Sequence, residues 1–177
     1  MIKTRRLCLV PATLELLKAE LDSRVYFEKL LGARIPVNWP PELYDRAATE
    51  YTVKCIVDNP GTSGWWLYYI ILQHETDPVA VGTSGYKGPP EANGVVELGY
   101  GVLPEFQRRG IATEATMGLI ANAFACLQVE RVISETLPEL TASIGVMEKC
   151  GFKYVGAGSE EGVVRYELTR RNYENPE

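Results

Sequence analysis

One stretch, from Val95 to Leu127, constrains the fold more than any other part of the chain. Residues 95–103 are mostly apolar or β-forming and lie between an Asn-Gly pair and Pro104, which predicts a strand. From Ala115 onward, apolar residues recur at helical spacing on one face, and Thr113 fits the N-cap position of that helix. The sequence therefore predicts a strand, a short loop and a helix in direct succession.

The loop between this strand and this helix has the chemistry of an anion site. Gly110 lets a ligand approach the backbone because it has no Cβ. The first amides of the following helix lack intrahelical acceptors, and the helix dipole adds partial positive charge there. Arg108 and Arg109 add full charges, so a diphosphate group would fit. The alternative is an ordinary connection with a turn glycine and two solvated arginines, because short glycine motifs are weak signals.

Two separate blocks resemble the GNAT N-acetyltransferases. Residues 107–112, Q-R-R-G-I-A, resemble the family's acyl-CoA-binding signature Q/R-x-x-G-x-G/A. Residues 138–152 resemble its later segment P-x-N-x-x-S/A…E-K-x-G-F. The segments T-x-R-L-x-L, V-E-L-G-Y and A-T-E-A are similar to the branch that acetylates ribosomal proteins and small molecules. The resemblance covers roughly residues 79–169.

The resemblance implies an α/β fold, with a mixed central sheet of about seven strands flanked by helices. We expect one domain over residues 1–170 and a disordered tail over residues 171–177. In that fold two central strands splay apart, the acyl-pantetheine arm lies in the gap, and the amine enters from the far side. Acetyl-CoA is the implied cosubstrate. Its expected contacts are Val102, Leu103, Gln107, Arg108, Arg109, Gly110, Ile111, Ala112, Thr113 and Ser143.

Local patterns agree with this architecture. They predict a strand over residues 4–10, a helix capped by Thr13, a second helix that ends at Gly32, and a third from Pro41 to Val57. Three strands, the central helix, a strand, a short helix and a final hairpin follow. A mixed sheet with helices on its faces is the expected result.

Transfer of an acyl group to an amine requires a base, because an ammonium ion has no lone pair. Two carboxylates on predicted strands are candidates, Glu97 on the central strand and Glu135 on the next one. A carboxylate in a partly apolar cleft can have a raised pKa, which suits a base near neutral pH. The alternative for either residue is a position on an exposed strand face.

The other two steps involve the thioester. A backbone N–H near Val102 and Leu103 would stabilise the oxyanion. Many family members carry a tyrosine just before the E-K pair as general acid, but this chain has Met147 there. Ser143 lies one helical turn earlier and could donate to the sulfur; alternatively it is a capping or packing residue. Loss of the thiolate without an acid is also feasible, and the missing tyrosine leaves open a non-catalytic acyl-CoA sensor.

The acceptor is less constrained than the cosubstrate. Trp39, Tyr86 and Glu97 are the candidate substrate-binding residues, since an aromatic pocket can hold an apolar group or face a cation. The implied acceptor is a small-molecule amine, with a protein N-terminus as the alternative. A homodimer is also compatible with the resemblance, because exposed strand edges in this fold often pair.

Composition narrows the remaining classes. The net charge is −5 and the pI about 5.1, which argues against a nucleic-acid partner. Neither a signal peptide nor an apolar run of membrane-spanning length is apparent. The four cysteines form no C-x-x-C pair and His74 is the single histidine, so we expect no metal site and a cytoplasmic protein. A dinucleotide-binding fold is disfavoured because G-x-G-x-x-G is absent.

Overall fold

An eight-stranded mixed sheet organises the chain, and the computed structural model describes residues 1–42, 44–73 and 77–175. The strands are β1 Ile2–Lys3, β2 Leu7–Pro11, β3 Leu67–Leu72, β4 Val79–Tyr86, β5 Val95–Val102, β6 Arg131–Thr136, β7 Lys153–Ala157 and β8 Val164–Thr169. Their order in the sheet is β1-β2-β3-β4-β5-β6-β8-β7. Only β5 and β6 pair in parallel among these neighbours. The eighth strand arises because the N-terminus forms a hairpin, β1–β2, where one strand was predicted.

Helices cover both faces of the sheet. They are α1 Leu14–Asp22, α2 Arg24–Leu31, α3 Arg46–Asp58, α4 Ile111–Ala125, α5 Thr141–Lys149 and α6 Arg170–Glu174. One apolar core lies between the sheet and α4 and α5, and includes Leu98, Leu119 and Met147. A second core lies between the opposite face and α1 to α3, and includes Leu17 and Phe27. The predicted α/β architecture is confirmed.

The ends of the first two helices are as predicted. The Thr13 side chain accepts a hydrogen bond from the amide of Leu16, and Gly32 ends α2 with φ 66°. The third helix was predicted to begin at Pro41, but it begins at Arg46. The Asp45 side chain accepts a hydrogen bond from the amide of Ala48, so a capping carboxylate inside the predicted helix sets its start.

The C-terminal segment differs from the prediction of a disordered tail. Residues Arg170–Glu174 form α6, and the Thr169 side chain caps it by accepting from the amide of Asn172. The Arg170 guanidinium donates to the carbonyls of Phe124, Cys126 and Val129. These partly buried hydrogen bonds tie the tail to the end of α4 and to the loop that follows it. Residues 176–177 of the predicted tail and the single histidine, His74, lie outside the described residues.

The central strands part after a short pairing. β5 and β6 share only three register pairs, the last being Glu97 with Ile133. β5 continues to Val102 along β4, whereas β6 pairs with β8 over its whole length. A gap therefore opens between β5 and β6 beyond Glu97, as the resemblance implies.

Within the part of the chain that the structure describes, no helix combines the length and the apolar character that crossing a membrane requires.

Candidate active site

The loop between β5 and α4 is shaped by two residues with positive φ. Arg108 has φ 59° and Gly110 has φ 74°, and Gly110 occupies the N-cap position of α4. Thr113 was predicted as the cap, but it lies inside the first helical turn. The first intrahelical bond runs from the amide of Glu114 to the carbonyl of Gly110. The amides of Ile111, Ala112 and Thr113 precede that bond, so the helix itself provides them with no acceptor.

The side chains of the loop differ in their roles beside these amides. The Gln107 side chain donates to the carbonyl of Val102 at 2.9 Å and so closes the loop onto the end of β5. Arg108 and Arg109 are exposed, and the Arg109 guanidinium lies 5.6 Å from the centroid of the Phe106 ring. The loop therefore presents three helix-end amides beside two exposed cations, an arrangement that favours a bound anion.

The N-terminal hairpin is clamped to the first turn of α4. The Glu114 carboxylate accepts from the Thr4 hydroxyl at 2.6 Å, and from the Arg6 amide and Nε at 2.7 Å each. Burial raises the pKa of Glu114, but these hydrogen bonds and the Arg6 charge lower it below its usual value of 4.5. This contact accounts for the T-x-R and A-T-E segments. Both segments were identified from the sequence, but their contact with each other was not predicted.

A cleft of about 560 Å³ lies beside this clamp. Its lining includes Arg5, Arg6, Gly110, Thr113 and Lys149. Glu114 also lines the cleft and is paired with Arg6, so Arg5 and Lys149 are the cations that extend the positive surface from the loop.

The hydrogen-bonding direction of β5 determines which amides face the gap. The Lys87 amide donates to the carbonyl of Glu97, and the Leu103 amide donates to the carbonyl of Val81. Alternate residues of a strand bond to opposite neighbours. The amides of Tyr100 and Val102 therefore point away from β4, towards the gap. Of the two predicted oxyanion donors, Val102 faces the gap, whereas the amide of the fully buried Leu103 bonds to β4.

Glu97 lies on the opposite face of β5 from α4. Val96 and Leu98, its neighbours, pack in the core under α4, so the Glu97 side chain points to the other side. Its carboxylate contacts the Lys87 ammonium, and the side chain as a whole is 19% exposed. Glu97 is also the last β5 residue paired with β6. It therefore stands at the point where the gap begins.

Glu135 is enclosed by donors. Its carboxylate is 5% exposed and accepts from the Arg165 Nε at 2.7 Å, from the Ser159 hydroxyl at 2.6 Å and from the Ser159 amide at 3.0 Å. Burial raises the pKa of Glu135, but Ser159 and Arg165 lower it below 4.5 overall. The group is held as an anion, with its oxygens already occupied.

Ser143 has a partner that we did not predict. The Tyr100 hydroxyl lies 2.9 Å from the carbonyl of Ser143, to which it donates, and 3.2 Å from its Oγ. Burial raises the pKa of Tyr100 to about 12, so the phenol stays protonated at neutral pH. Met147 is fully buried in the core. Tyr100 thus links β5 to α5 across the gap. The sequence feature that could have indicated this contact is the alternation of β5, which puts Tyr100 on the same face as Leu98 and Val102.

A cavity of about 370 Å³ lies on the Glu97 side of β5. Its lining includes Glu42, Tyr44, Tyr51, Trp66, Lys87 and Gly99. A Cβ added to Gly99 would have no heavy atom within 4 Å, so this glycine leaves open space above the strand. Gly101, two residues on, would place a Cβ 3.3 Å from the Cβ of Pro41. The bare backbone of β5 therefore forms the floor of the cavity.

The two predicted aromatic contacts differ in their positions. The Trp39 indole donates to the Glu20 carboxylate at 2.7 Å and packs against the second core, and it does not line the cavity. Tyr86 borders the cavity, but its hydroxyl donates to the carbonyl of Leu119 at 2.6 Å, so its ring lies largely in the other core. Among the described residues, no cluster of three or more His, Cys, Asp or Glu side chains has a metal-binding arrangement.

Comparison with known proteins identifies the family. The family described as "Acetyltransferase (GNAT) domain" matches residues 6–153. The uncharacterised N-acetyltransferase YjdG of Bacillus subtilis (strain 168) is 28% identical over 152 residues, which cover 86% of this chain and 89% of that protein.

Two solved structures share the fold. The self immunity acetyltransferase MccE in complex with acetyl-CoA and AMP has a TM-score of 0.64 at 17% identity, over 94% of this chain and 93% of that one. The aminoglycoside acetyltransferase AAC(6')-Ib in complex with coenzyme A has a TM-score of 0.62 at 19% identity, over 96% of this chain and 98% of that one. The family match spans most of the chain, and the alignment with YjdG covers most of both proteins. The chain therefore belongs to the GNAT family and is an N-acetyltransferase.

Proposed function

We propose that this protein transfers an acetyl group from acetyl-CoA directly to a primary amine of a small molecule, within a ternary complex. The observation that carries the proposal is the position of Glu97. It lies where the gap between β5 and β6 begins, and its side chain is on the same face of β5 as Gly99 and Gly101, which line the cavity. A thioester in the gap and an amine in the cavity would meet beside this carboxylate.

Acetyl-CoA would bind along β5 and the loop that follows it. The amides of Ile111, Ala112 and Thr113 would bind the diphosphate, with Arg108 and Arg109 beside it. The pantetheine arm would accept hydrogen bonds from the exposed edge of β5 in the gap, in the manner of an added strand. The cationic cleft lined by Arg5 and Lys149 would take the remaining phosphate of the nucleotide.

The chemical step assigns one group to each task. Glu97 takes a proton from the ammonium, and the free amine attacks the thioester carbonyl carbon. The Val102 amide donates to the developing oxyanion. As the C–S bond breaks, the attacking nitrogen loses its second proton, and the Ser143 hydroxyl, oriented by Tyr100, relays this proton to the departing thiolate. Glu135 takes no part, because Arg165 and Ser159 already occupy its oxygens.

The cavity favours a small acceptor. Its volume of about 370 Å³ lies within the range of small-molecule sites, roughly 300–1,000 Å³. Tyr44, Tyr51 and Trp66 give it apolar walls, and Glu42 supplies negative charge. The Glu97 carboxylate contacts Lys87, which also lines the cavity. A compact primary amine with an apolar body would fit these walls and this charge.

The test combines binding and turnover. Acetyl-CoA affinity is measured by calorimetry, and thiol release is then followed in the same sample with small primary amines and with peptides that carry a free N-terminus. A sample without acceptor corrects for hydrolysis. We expect acetyl-CoA binding and faster thiol release with small amines. Release with peptides alone would replace the small-molecule acceptor by a protein N-terminus. Thiol release that no acceptor raises above the acceptor-free sample would contradict the transfer reaction.

A further inference from the structure

Lys87 meets Glu97 through both its backbone and its side chain. It directly follows β4, and its amide donates to the carbonyl of Glu97 at 2.9 Å. Its ammonium contacts the Glu97 carboxylate. Because the backbone bond fixes the lysine opposite this glutamate, the ammonium stays within reach of the carboxylate even when the side chain moves.

The ammonium occupies the position that the acceptor amine needs. Lys87 lines the same cavity as Gly99, and its side chain is 65% exposed while that of Glu97 is 19% exposed. An ion pair that is exposed on one side contributes about 0–1 kcal/mol to stability. The pair is therefore a weak structural bond, and an external amine must displace Lys87 to reach the carboxylate.

The use of lysine here differs from the rest of the molecule. The other six ion pairs of the described residues all take their cation from arginine. An arginine keeps its proton in proteins and makes no free amine, whereas a lysine that gives its proton to a base becomes a nucleophile. Among these seven pairs, Lys87 is therefore the only cation that can be acylated, and its partner is Glu97, the proposed base.

We propose that Lys87 is an internal acceptor and that the protein acetylates it. The inference depends on the proposed function, because Glu97 and acetyl-CoA act here as they do with an external amine. Glu97 takes a proton from the Lys87 ammonium, and Nζ attacks the thioester carbonyl carbon. The C–N bond forms, the C–S bond breaks, and the second proton that Nζ loses goes to the thiolate of coenzyme A. The products are Nζ-acetyl-lysine and coenzyme A.

Acetylation would change the acceptor site. Acetyl-lysine is neutral and no longer pairs with Glu97, so the carboxylate becomes free for an external amine. We expect the modified protein to show a lower KM for small amines than the unmodified protein.

The experiment incubates the full chain with acetyl-CoA alone. Peptide mapping by mass spectrometry then follows acetylation at Lys87 and, as internal references, at the exposed Lys29 and Lys153. We expect Lys87 to react at least about tenfold faster than the references, because its amine is held beside the base. The rate constant should be independent of protein concentration, as an intramolecular step requires.

Two variants sharpen the test. Glu97→Gln should reduce acetylation at Lys87 to the rate of Lys29 and Lys153 and leave those two unchanged. Lys87→Arg keeps the charge and should remove the modification at this position. Melting temperatures near that of the unsubstituted chain confirm that both variants fold.

Failure of this inference is separable from failure of the proposed function. Acetylation of Lys87 no faster than that of Lys29 and Lys153 overturns it, and an added small amine in a parallel sample shows whether transfer itself occurs. If that amine is acetylated, only the internal acceptor is refuted. If acetyl-CoA does not bind, both proposals are refuted.

Discussion

Replacing each of the two strand carboxylates by glutamine should give opposite results. Glu135→Gln should lower the stability of the protein and leave turnover unchanged. Glu97→Gln should lower turnover and leave stability nearly unchanged. The reason is that Glu135 is bonded to Arg165 and Ser159, whereas the side-chain contact found for Glu97 is with the exposed Lys87.

The magnitude for Glu135 follows from its contacts. Its carboxylate is 5% exposed and is bonded to the guanidinium of Arg165 by two nitrogens, each at 2.7 Å. Hydrogen bonds to a charged group contribute about 1.5–3 kcal/mol each, and the glutamine retains part of the Ser159 contact, so the net loss should be about 2–3 kcal/mol. In a domain of this size 1 kcal/mol shifts the melting temperature by about 2–4 °C, so the expected decrease is about 4–12 °C.

The effect of Glu135 should also depend on pH. Its folded pKa is lowered from 4.5, so its contribution is fully present above pH 4.5 and is lost as the pH falls through the folded value. The melting temperatures of Glu135→Gln and the unsubstituted chain should therefore converge in acid. An unchanged difference down to pH 3 would contradict the lowered pKa.

For Glu97 the expected effect is catalytic. Loss of a general base lowers kcat by about 10²–10⁴-fold, and loss of the Lys87 pair costs about 0–1 kcal/mol. The two variants are compared by thermal melting and by thiol release with one good amine substrate. The assignment is refuted if Glu135→Gln loses turnover at full stability, or if Glu97→Gln keeps it.

Three further substitutions test the loop, the hydroxyl pair and the cavity. Gly110→Asp should weaken acetyl-CoA binding by at least about tenfold in calorimetry, because like charges about 4 Å apart near a surface repel by about 4 kcal/mol. Gly110→Asn, which also tolerates the positive φ, is the uncharged control. Equal acetyl-CoA affinities of these two variants would refute the loop as an anion site. Tyr100→Phe should lower kcat by roughly 2–10-fold at unchanged acetyl-CoA affinity, since one hydrogen bond to Ser143 is worth about 0.5–1.5 kcal/mol; a kcat equal to that of the unsubstituted chain would show that the hydroxyl is structural. Gly99→Leu should raise the acceptor KM by at least about tenfold through steric block of the cavity, with acetyl-CoA affinity unchanged. Gly99→Ala, which adds only the Cβ, is its control, and an unaltered KM for the leucine variant would place the acceptor elsewhere.

The fold was largely predictable because local signals and the topology agree. The caps at Thr13 and Gly32 act within one helical turn, so sequence alone identifies them. At α4 two local signals competed, a threonine that can cap and a glycine that can adopt positive φ. The backbone at Gly110 has φ 74° and forms the N-cap, three residues before the predicted cap Thr113.

Long-range contacts account for what the sequence did not reveal. The hairpin β1–β2 is held to α4 by Glu114, more than one hundred residues from Thr4 and Arg6. The tail is ordered as α6 because carbonyls at the end of α4 accept from Arg170. Neither partner is recognisable from the local pattern, since charged residues near a terminus usually lie in solvent.

The site was predictable in its loop but not in its carboxylates. Glu97 and Glu135 both alternate with apolar or small neighbours on strands, so their sequence contexts are alike. They differ only in the surrounding fold, which brings Arg165 and Ser159 to one and Lys87 to the other. The same limitation applies to Trp39, whose indole donates a hydrogen bond to Glu20. It also applies to Tyr100, whose partner Ser143 lies on a helix later in the chain.

The short pairing between β5 and β6 affects how the sheet responds to its ligand. Three register pairs join its two halves along the backbone, and past Glu97 the amides of Tyr100 and Val102 face the gap without a strand partner. The pantetheine arm that we propose for this gap would act as a temporary ninth strand and would bind only the folded state, so it would stabilise the junction by mass action. Amide hydrogen exchange at these two residues should therefore slow strongly when the cosubstrate is bound, whereas the β3–β4 ladder, far from the gap, should exchange at nearly the same rate in both states.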